Sequence, residues 1–475
     1  MGARSRIVMH TNEPHIARGT IGTRHLFFFV IAAAAPLTAM AGFAPLAFRL
    51  GGPATPLGYL IAGAVYLLFA VGFLNFARHT SRGGAFYTYI SIGLGRHIGL
   101  GAALVAYVSY ALGQIGFCAA AGLFTAEAIR AAFDLHLSWG LCALILAALS
   151  GTLAYYRIEF NARLMAILIT AEIGILAVFS TAVLWTGGAE GLRFESLDPR
   201  SLLSPGVGKL LVITFLVFIG FEQAVLYSEE AKDPKRTVPR ATYLAIGFLM
   251  VFYLLTSWSI YIAIGPSQFE TALTGDTANL VFDLAARHLG PTFSSLMLFL
   301  VLTSFFAGVL ALQNASSRYL VAIAEERMLP TAFASRNRYG MPKVAGIFQG
   351  LLVSAFILAG YLADLDPYTQ LIIWTNTPTL VGVLILQILT CIAAIRYFRA
   401  HPESTSLWQR LIAPGFAAGM LLLVLMLLLR DMDLLTGMEH LANALMVAPL
   451  VVAFVTGLSL STWLGSPRRR ETSAA

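Results

Sequence analysis

Residues 211–241 read LVITFLVFIGFEQAVLYSEEAKDPKRTVPRA. An apolar run suited to a membrane meets Gly220-Phe221-Glu222 at its middle, recovers over Gln223–Tyr227 and ends in a block of charges. An ionised carboxylate at the bilayer centre costs about 2.5–3.5 kcal/mol on insertion scales, so it must be neutral or partnered. Glycine reaches backbone conformations closed to other residues, and the helix is expected to break at Gly220. At the exit, Pro234 and Pro239 stop one helix and start the next, while the surrounding Lys and Arg hold the turn in water.

The same apolar character extends along the whole chain. Of its 475 residues, 58% are hydrophobic and 12% charged, and the mean hydropathy is +0.77. A soluble domain carries about twice that charged fraction. Apolar runs of roughly 20 residues recur, each long enough to cross ~30 Å of hydrocarbon. The class is an all-α polytopic membrane protein; the ~10-residue alternating segments of a β-barrel do not occur. The net charge of +7 reflects topology, and no nucleic-acid partner is read from it. Cys118, Cys142 and Cys391 lie apart inside apolar runs, and the nine histidines form no HExxH pattern, so no disulfide framework, metal or cofactor is assigned. The first 24 residues are polar and carry Arg4, Arg6, Arg18 and Arg24 before a full-length apolar run, which reads as no cleaved signal peptide.

About twelve spans are expected, at 26–49, 55–76, 97–130, 138–155, 162–186, 208–230, 241–265, 289–322, 345–362, 369–396, 409–429 and 441–464, here called spans 1 to 12. Basic residues collect at one end: Arg78 and Arg96, then Lys232, Lys235, Arg236 and Arg240, then Arg318, Arg327, Arg336 and Arg338, then Arg396 and Arg399, and finally Arg468–Arg470. The opposite connections carry acids such as Glu190, Asp198, Glu270 and Asp366. By the positive-inside rule both termini are cytoplasmic and the protein is a multi-pass plasma-membrane protein. The connections are short, leaving no place for a catalytic domain; an enzyme is not expected.

Span 1 is interrupted as well. It reads HLFFFVIAAAAPLTAMAGFAPLAFRLGG, with Pro36 and Pro45 bracketing Thr38–Gly42. A proline inside a helix removes a donor and crowds the carbonyl four residues earlier. Backbone groups freed in this way cannot face lipid and must line a polar cavity or be buried in protein. Two interrupted segments five helices apart, crossing in opposite directions, point to a substrate site at the midplane.

These residues resemble the amino acid–polyamine–organocation superfamily of secondary transporters from about His25 to Trp463. Its motif after span 2 is seen in Arg82-Gly83-Gly84-Ala85-Phe86-Tyr87, and its span 6 motif in Phe218-Ile219-Gly220-Phe221-Glu222 with Glu229-Glu230-Ala231-Lys232-Asp233-Pro234. The exit of span 8 is similar in Ser317-Arg318-Tyr319 and Glu325-Glu326-Arg327-Met328-Leu329-Pro330. The resemblance implies a LeuT-like 5+5 inverted repeat plus two C-terminal helices: an N-terminal tail over 1–24, a transporter domain over 25–465, repeats at about 25–190 and 205–400, extra helices at about 409–464 and a C-terminal tail over 466–475. It implies a substrate held between the breaks, with Thr38, Ala39, Ala41, Gly42, Phe218, Gly220, Phe221 and Glu222 as candidate contacts. Half-helix N-termini favour a carboxylate and C-terminal ends an ammonium. The glycine-rich sequence common at the family's span 1 break is reduced here to Thr38-Ala39-Met40-Ala41-Gly42-Phe43, which keeps polyamines and amino alcohols open as cargo.

Glu172, in the middle of span 5, is similarly placed to a membrane-embedded lysine of proton-coupled relatives, which implies a coupling role through a proton. The alternative is a neutral glutamic acid bonded to span 1 carbonyls. Sodium is the competing ion, but Phe305–Gln313 of span 8 carries no hydroxyl. Glu222 is a candidate for the substrate ammonium or the proton path, or caps the half-helix that begins after Gly220. Tyr110, Gln114 and Asn376 are candidates for the pathway, with buried interhelical hydrogen bonds as the alternative. The functional expectation is a secondary active transporter of amino acids or related amines by alternating access, coupled to protons. A polyamine or amino-alcohol exchanger is the second reading, and a channel or sensor would need a filter or soluble domain that is not visible.

Overall fold

The computed structural model describes residue 19 and residues 21–79, 85–156, 158–204, 206–228, 230–274, 277 and 279–463. The motif residues Arg82, Gly83, Gly84 and Glu229 and most of both terminal tails lie outside the described residues. Among those described, the only non-helical pairings between segments are isolated bridges, Ile21 to Ala231 and Arg336 to Pro342.

Among the described residues, ten helices are long and apolar enough to cross a membrane. The first runs from Thr23 to His79 and contains both span 1 and span 2, which part at Gly51-Gly52, where Gly52 takes a positive φ. Trp139–Tyr155, expected as span 4, is a shorter apolar helix of 17 residues. Its start is set by Ser138, whose hydroxyl accepts the Leu141 N–H at 3.3 Å. Spans 3 and 8 are the longest single helices, Arg96–Phe133 and Pro291–Glu325.

Lipid offers no hydrophobic drive between helices, so packing relies on close approach and on polar contacts. Gly116 of span 3 shows the first: an added Cβ would lie 2.3 Å from the Thr375 hydroxyl and 2.4 Å from the Asn376 amide nitrogen of span 10. The second is a chain of buried amides. Gln114 of span 3 donates to Gln313 of span 8 at 2.7 Å, Gln349 of span 9 donates to Gln114 at 2.9 Å, and Gln313 donates to the Gly346 carbonyl. This chain ties spans 3, 8 and 9 into one frame, against which the broken spans 1 and 6 lie.

Candidate functional site

Span 1 opens one residue before its proline. Thr23–Ala34 ends at Ala35, which adopts φ 45° and ψ 69°. The residue before a proline is pushed out of right-handed helical geometry, whereas the proline itself is well suited to begin a helix. Thr38–Phe43, expected to be the unwound piece, is instead wound as a wide π turn that leads into Ala44–Gly51. Span 6 opens at its glycine as expected. Val207–Leu216 ends in a turn, Gly220 takes φ 120°, and Phe221–Tyr227 continues as a tight 3₁₀ helix. A Cβ on Gly220 would lie 2.7 Å from the Ala33 Cβ and 3.0 Å from the Ala33 carbonyl carbon. The two breaks therefore touch, and glycine is required for both its φ and its size.

Each break is capped by a buried carboxylate. Glu172 of span 5 accepts the Leu37 N–H at 3.4 Å and the Ser304 hydroxyl at 2.7 Å, and Ser304 in turn accepts the Thr38 N–H at 3.3 Å. Glu172 thus binds amide donors of span 1 and not its carbonyls. Its Oε1 and the Thr38 hydroxyl are buried with no partner among the described residues. Glu222 accepts the Gly220 N–H at 3.0 Å through one oxygen and the Tyr110 hydroxyl at 2.6 Å through the other. Tyr110 stacks on Tyr319 of span 8 with ring centres 5.6 Å apart. The carbonyls freed at the breaks have donors too: the Tyr253 hydroxyl reaches Ala34 O at 3.4 Å, and the Tyr66 hydroxyl reaches Phe215 O at 3.2 Å. This satisfies the demand that broken backbone in hydrocarbon find partners within the protein.

A cavity of about 40 Å³ lies against both breaks. Ala33, Ala34, Ala35, Thr38, Ala39 and Phe43 form one wall, and Leu216, Val217, Ile219 and Gln223 of span 6 form another. Gly113 and Phe117 of span 3, Leu312 of span 8, and Asn376 and Thr379 of span 10 complete it. Among the expected contacts, Thr38, Ala39 and Asn376 reach this space. Ala41 and Gly42 do not line it. Phe218, Gly220, Phe221 and Glu222 also turn away: Phe218 packs on Tyr66 and Tyr253, and Phe221 on Tyr66 and Phe69. Tyr110 is engaged with Glu222, and Gln114 with the amide chain. Ala33–Ala35, Gln223 and Thr379 were not anticipated. The run of four alanines before Pro36 is the signal that could have found the first three, since only small side chains leave room beside an opened backbone.

At the end where the described chain begins, spans 1, 6 and 8 are tied together. Ile21 pairs with the segment after span 6, its N–H donating to Glu230 O at 3.0 Å and its carbonyl accepting the Lys232 N–H at 2.9 Å. Glu230 pairs with Arg318 of span 8 at 2.5 Å, and the Arg318 guanidinium lies 4.7 Å over the Tyr227 ring. Beside them Arg96 pairs with Glu326 at 3.0 Å, and Tyr87 donates to the same carboxylate. The motif residues Glu230, Lys232 and Arg318 therefore join spans 1, 6 and 8, while Tyr87 and Glu326 join the segment after span 2 to the end of span 8.

Broken spans around a buried cavity, in an all-helical frame of membrane-spanning length, define a transporter of LeuT-like architecture. The solved structure of a Na⁺-coupled sialic acid symporter, in a substrate-bound outward-open state, is similar to it with a TM-score of 0.55 and 13% identity. That likeness covers 86% of this chain and 90% of the symporter, and it carries the fold alone. The amino acid permease family model matches residues 25–466, and the chain belongs to that family. It is similar to an uncharacterized transporter of Mycobacterium bovis, 27% identical over 335 residues, 65% of this chain and 68% of the relative. A second uncharacterized transporter, from Mycobacterium tuberculosis, is 24% identical over 66% of this chain and 68% of the relative. The aromatic amino acid transport protein AroP of Escherichia coli is 28% identical over 159 residues, about a third of each chain, 33% and 34%.

Proposed function

We propose that this protein carries an amino acid or closely related amine across the plasma membrane by alternating access, with Glu172 as the group that couples transport to a proton. Twelve crossings in two inverted five-span repeats, about 25–190 and 205–400, with the extra helices at about 409–464 and both tails cytoplasmic, complete the proposal. The amino acid permease family supports the cargo class, and the naming of the Escherichia coli relative for amino acid transport agrees with it.

The observation that carries the coupling is the position of Glu172 at the join of spans 1, 5 and 8. As a carboxylate it accepts from both Leu37 and Ser304, pinning the segment of span 1 beyond its break to the frame. Protonation removes one charge and weakens those charge-assisted bonds, which are worth about 1.5–3 kcal/mol each. Span 1 is then freer to move relative to spans 5 and 8, and its movement reshapes the cavity wall at Thr38. Ser304, the hydroxyl on this face of span 8, donates to Glu172 and accepts from the Thr38 N–H, so a proton taken up by Glu172 is felt directly at span 1. Glu222 acts as the cap of the second half of span 6, holding the break open from within.

The test is uptake into liposomes of neutral, basic and acidic amino acids beside putrescine and ethanolamine. Each is measured with and without an inward proton gradient, in sodium-free buffer, for the natural protein and Glu172→Gln. Gradient-driven uptake that Glu172→Gln abolishes is the expected result. Dependence on sodium, or uptake indifferent to both gradient and substitution, would return Glu172 to a purely structural role.

A further inference from the structure

Beyond the breaks, on the side away from the N-terminus, a second space of about 60 Å³ adjoins the first. The two share Phe43, Leu216 and Asn376, so these residues form a common wall and threshold. The second space is otherwise walled by Val212, Ile213, Ile372, Leu380, Leu428 and Leu435, among others. Leu428 and Leu435 come from the end of span 11 and the short helix after it, outside both expected repeats. The chamber is thus a product of the extra C-terminal helices meeting spans 1, 6 and 10.

We infer that this chamber is the side-chain subsite, and that the cargo is a neutral amino acid with an apolar side chain. The inference rests on the transport reading above and narrows it. Neither space is lined by an acidic or basic side chain among the described residues. The two buried carboxylates nearby line neither space: Glu222 is bonded to Tyr110 and Gly220, and Glu172 is bonded through one oxygen to Ser304 and Leu37.

A zwitterion's own ammonium and carboxylate need only backbone dipoles and the polar wall of Thr38, Gln223, Asn376 and Thr379. A second charge, as on lysine, glutamate or a polyamine, would enter the chamber without a counter-charge, and an unpaired charge out of water is strongly disfavoured. A branched or aromatic side chain instead exchanges water for Val, Ile and Leu surface, and each added methylene strengthens its hold several-fold. Asn376 lines both spaces, suited to orient the amino acid head toward the breaks.

The test uses the purified full chain in liposomes and measures uptake together with competition by alanine, leucine, phenylalanine, lysine, glutamate and putrescine. The expected order places leucine and phenylalanine about tenfold or more ahead of alanine, with the charged compounds far behind. Val212→Phe, which fills the chamber, is expected to shift selectivity about tenfold toward alanine. Leu428→Ala, which enlarges it, is expected to shift selectivity toward phenylalanine. Equal transport of lysine, glutamate or putrescine overturns the inference while leaving the transport reading intact, and so does unchanged selectivity in variants that fold. If neither variant folds, the competition order of the natural protein decides alone. Uptake of none of these compounds overturns the transport reading itself, and the subsite with it.

Discussion

In span 6 the carboxylate that caps the interrupted helix lies two residues from the break it serves; in span 1 it arrives from span 5, 135 residues away. Both breaks solve one problem, the exposure of backbone donors in a medium without water. Their solutions differ in what they can respond to. Glu222 is bonded to the amide of Gly220 in its own segment and to Tyr110 of span 3, so it fixes the shape of the break and ties it to one neighbouring helix. Glu172 bonds across a three-helix junction, so any change in its charge changes how spans 1, 5 and 8 hold one another. The local cap holds shape and the distant cap reports on position.

The largest effect that would break this comparison is at the contact between the two breaks. Gly220→Ala combines left-handed backbone with a methyl placed 2.7 Å from the Ala33 Cβ. Each kind of strain costs about 1–3 kcal/mol. Loss of monodisperse protein in detergent, or a much lower melting temperature together with absent uptake, is the expected outcome. A variant with normal stability and uptake would mean that the breaks need not touch.

Glu172→Gln comes next. The amide keeps the size of the side chain but cannot change charge, so gradient-driven uptake should fall at least tenfold. The melting temperature should fall only modestly, by the lost charge assistance, because a glutamine carbonyl can still accept from Leu37 and Ser304. Equal losses of stability and coupling would erase the distinction between the two caps.

Glu222→Gln and Tyr110→Phe are expected to act in the opposite sense. Each disturbs one buried hydrogen bond and should lower stability by about 1–3 kcal/mol, seen as a lower melting temperature. The ratio of uptake with and without a proton gradient should stay near that of the natural protein. A collapse of that ratio in Glu222→Gln would show that span 6 carries the coupling as well.

The smallest effect is expected at Ala35. A left-handed alanine is strained by about 1–2 kcal/mol relative to right-handed geometry, and glycine removes that strain at some cost in unfolded-state freedom. Ala35→Gly should therefore raise stability by about 0.5–1 kcal/mol, measured as a modest rise in melting temperature. A fall would imply that the alanine methyl itself supports the cavity wall.

The span 6 break was legible because its cause is local. Glycine at 220 and an acid at 222 fall within one turn, and both the break and its cap follow from backbone chemistry. Span 1 was legible in part. Pro36 and Gly42 drew attention to the stretch between them, yet the chain opens at Ala35, because proline is at ease at the start of a helix and displaces its strain onto the residue before it. Thr38 and Ala39 were found through the family resemblance at the span 1 break, and Asn376 because a polar residue stands out in an apolar span. Gln223 and Thr379 were passed over because nothing along the chain distinguishes a residue facing the cavity from one facing a neighbouring helix. Gln114 illustrates the converse, a conspicuous polar residue whose bonds are spent on Gln313 and Gln349.

By itself the sequence determined the membrane class and the need for two breaks, and it set the expectations of span count and orientation. Those depend on hydropathy, charge and backbone chemistry summed over neighbours in the chain. Only the tertiary structure decided that Glu172 meets Leu37 and Ser304, that Gly220 rests on Ala33, and that the end of span 11 closes a chamber against span 6. A buried polar or charged group takes its meaning from its partner, and when the partner is brought by helix packing from a hundred residues away, no local pattern records it.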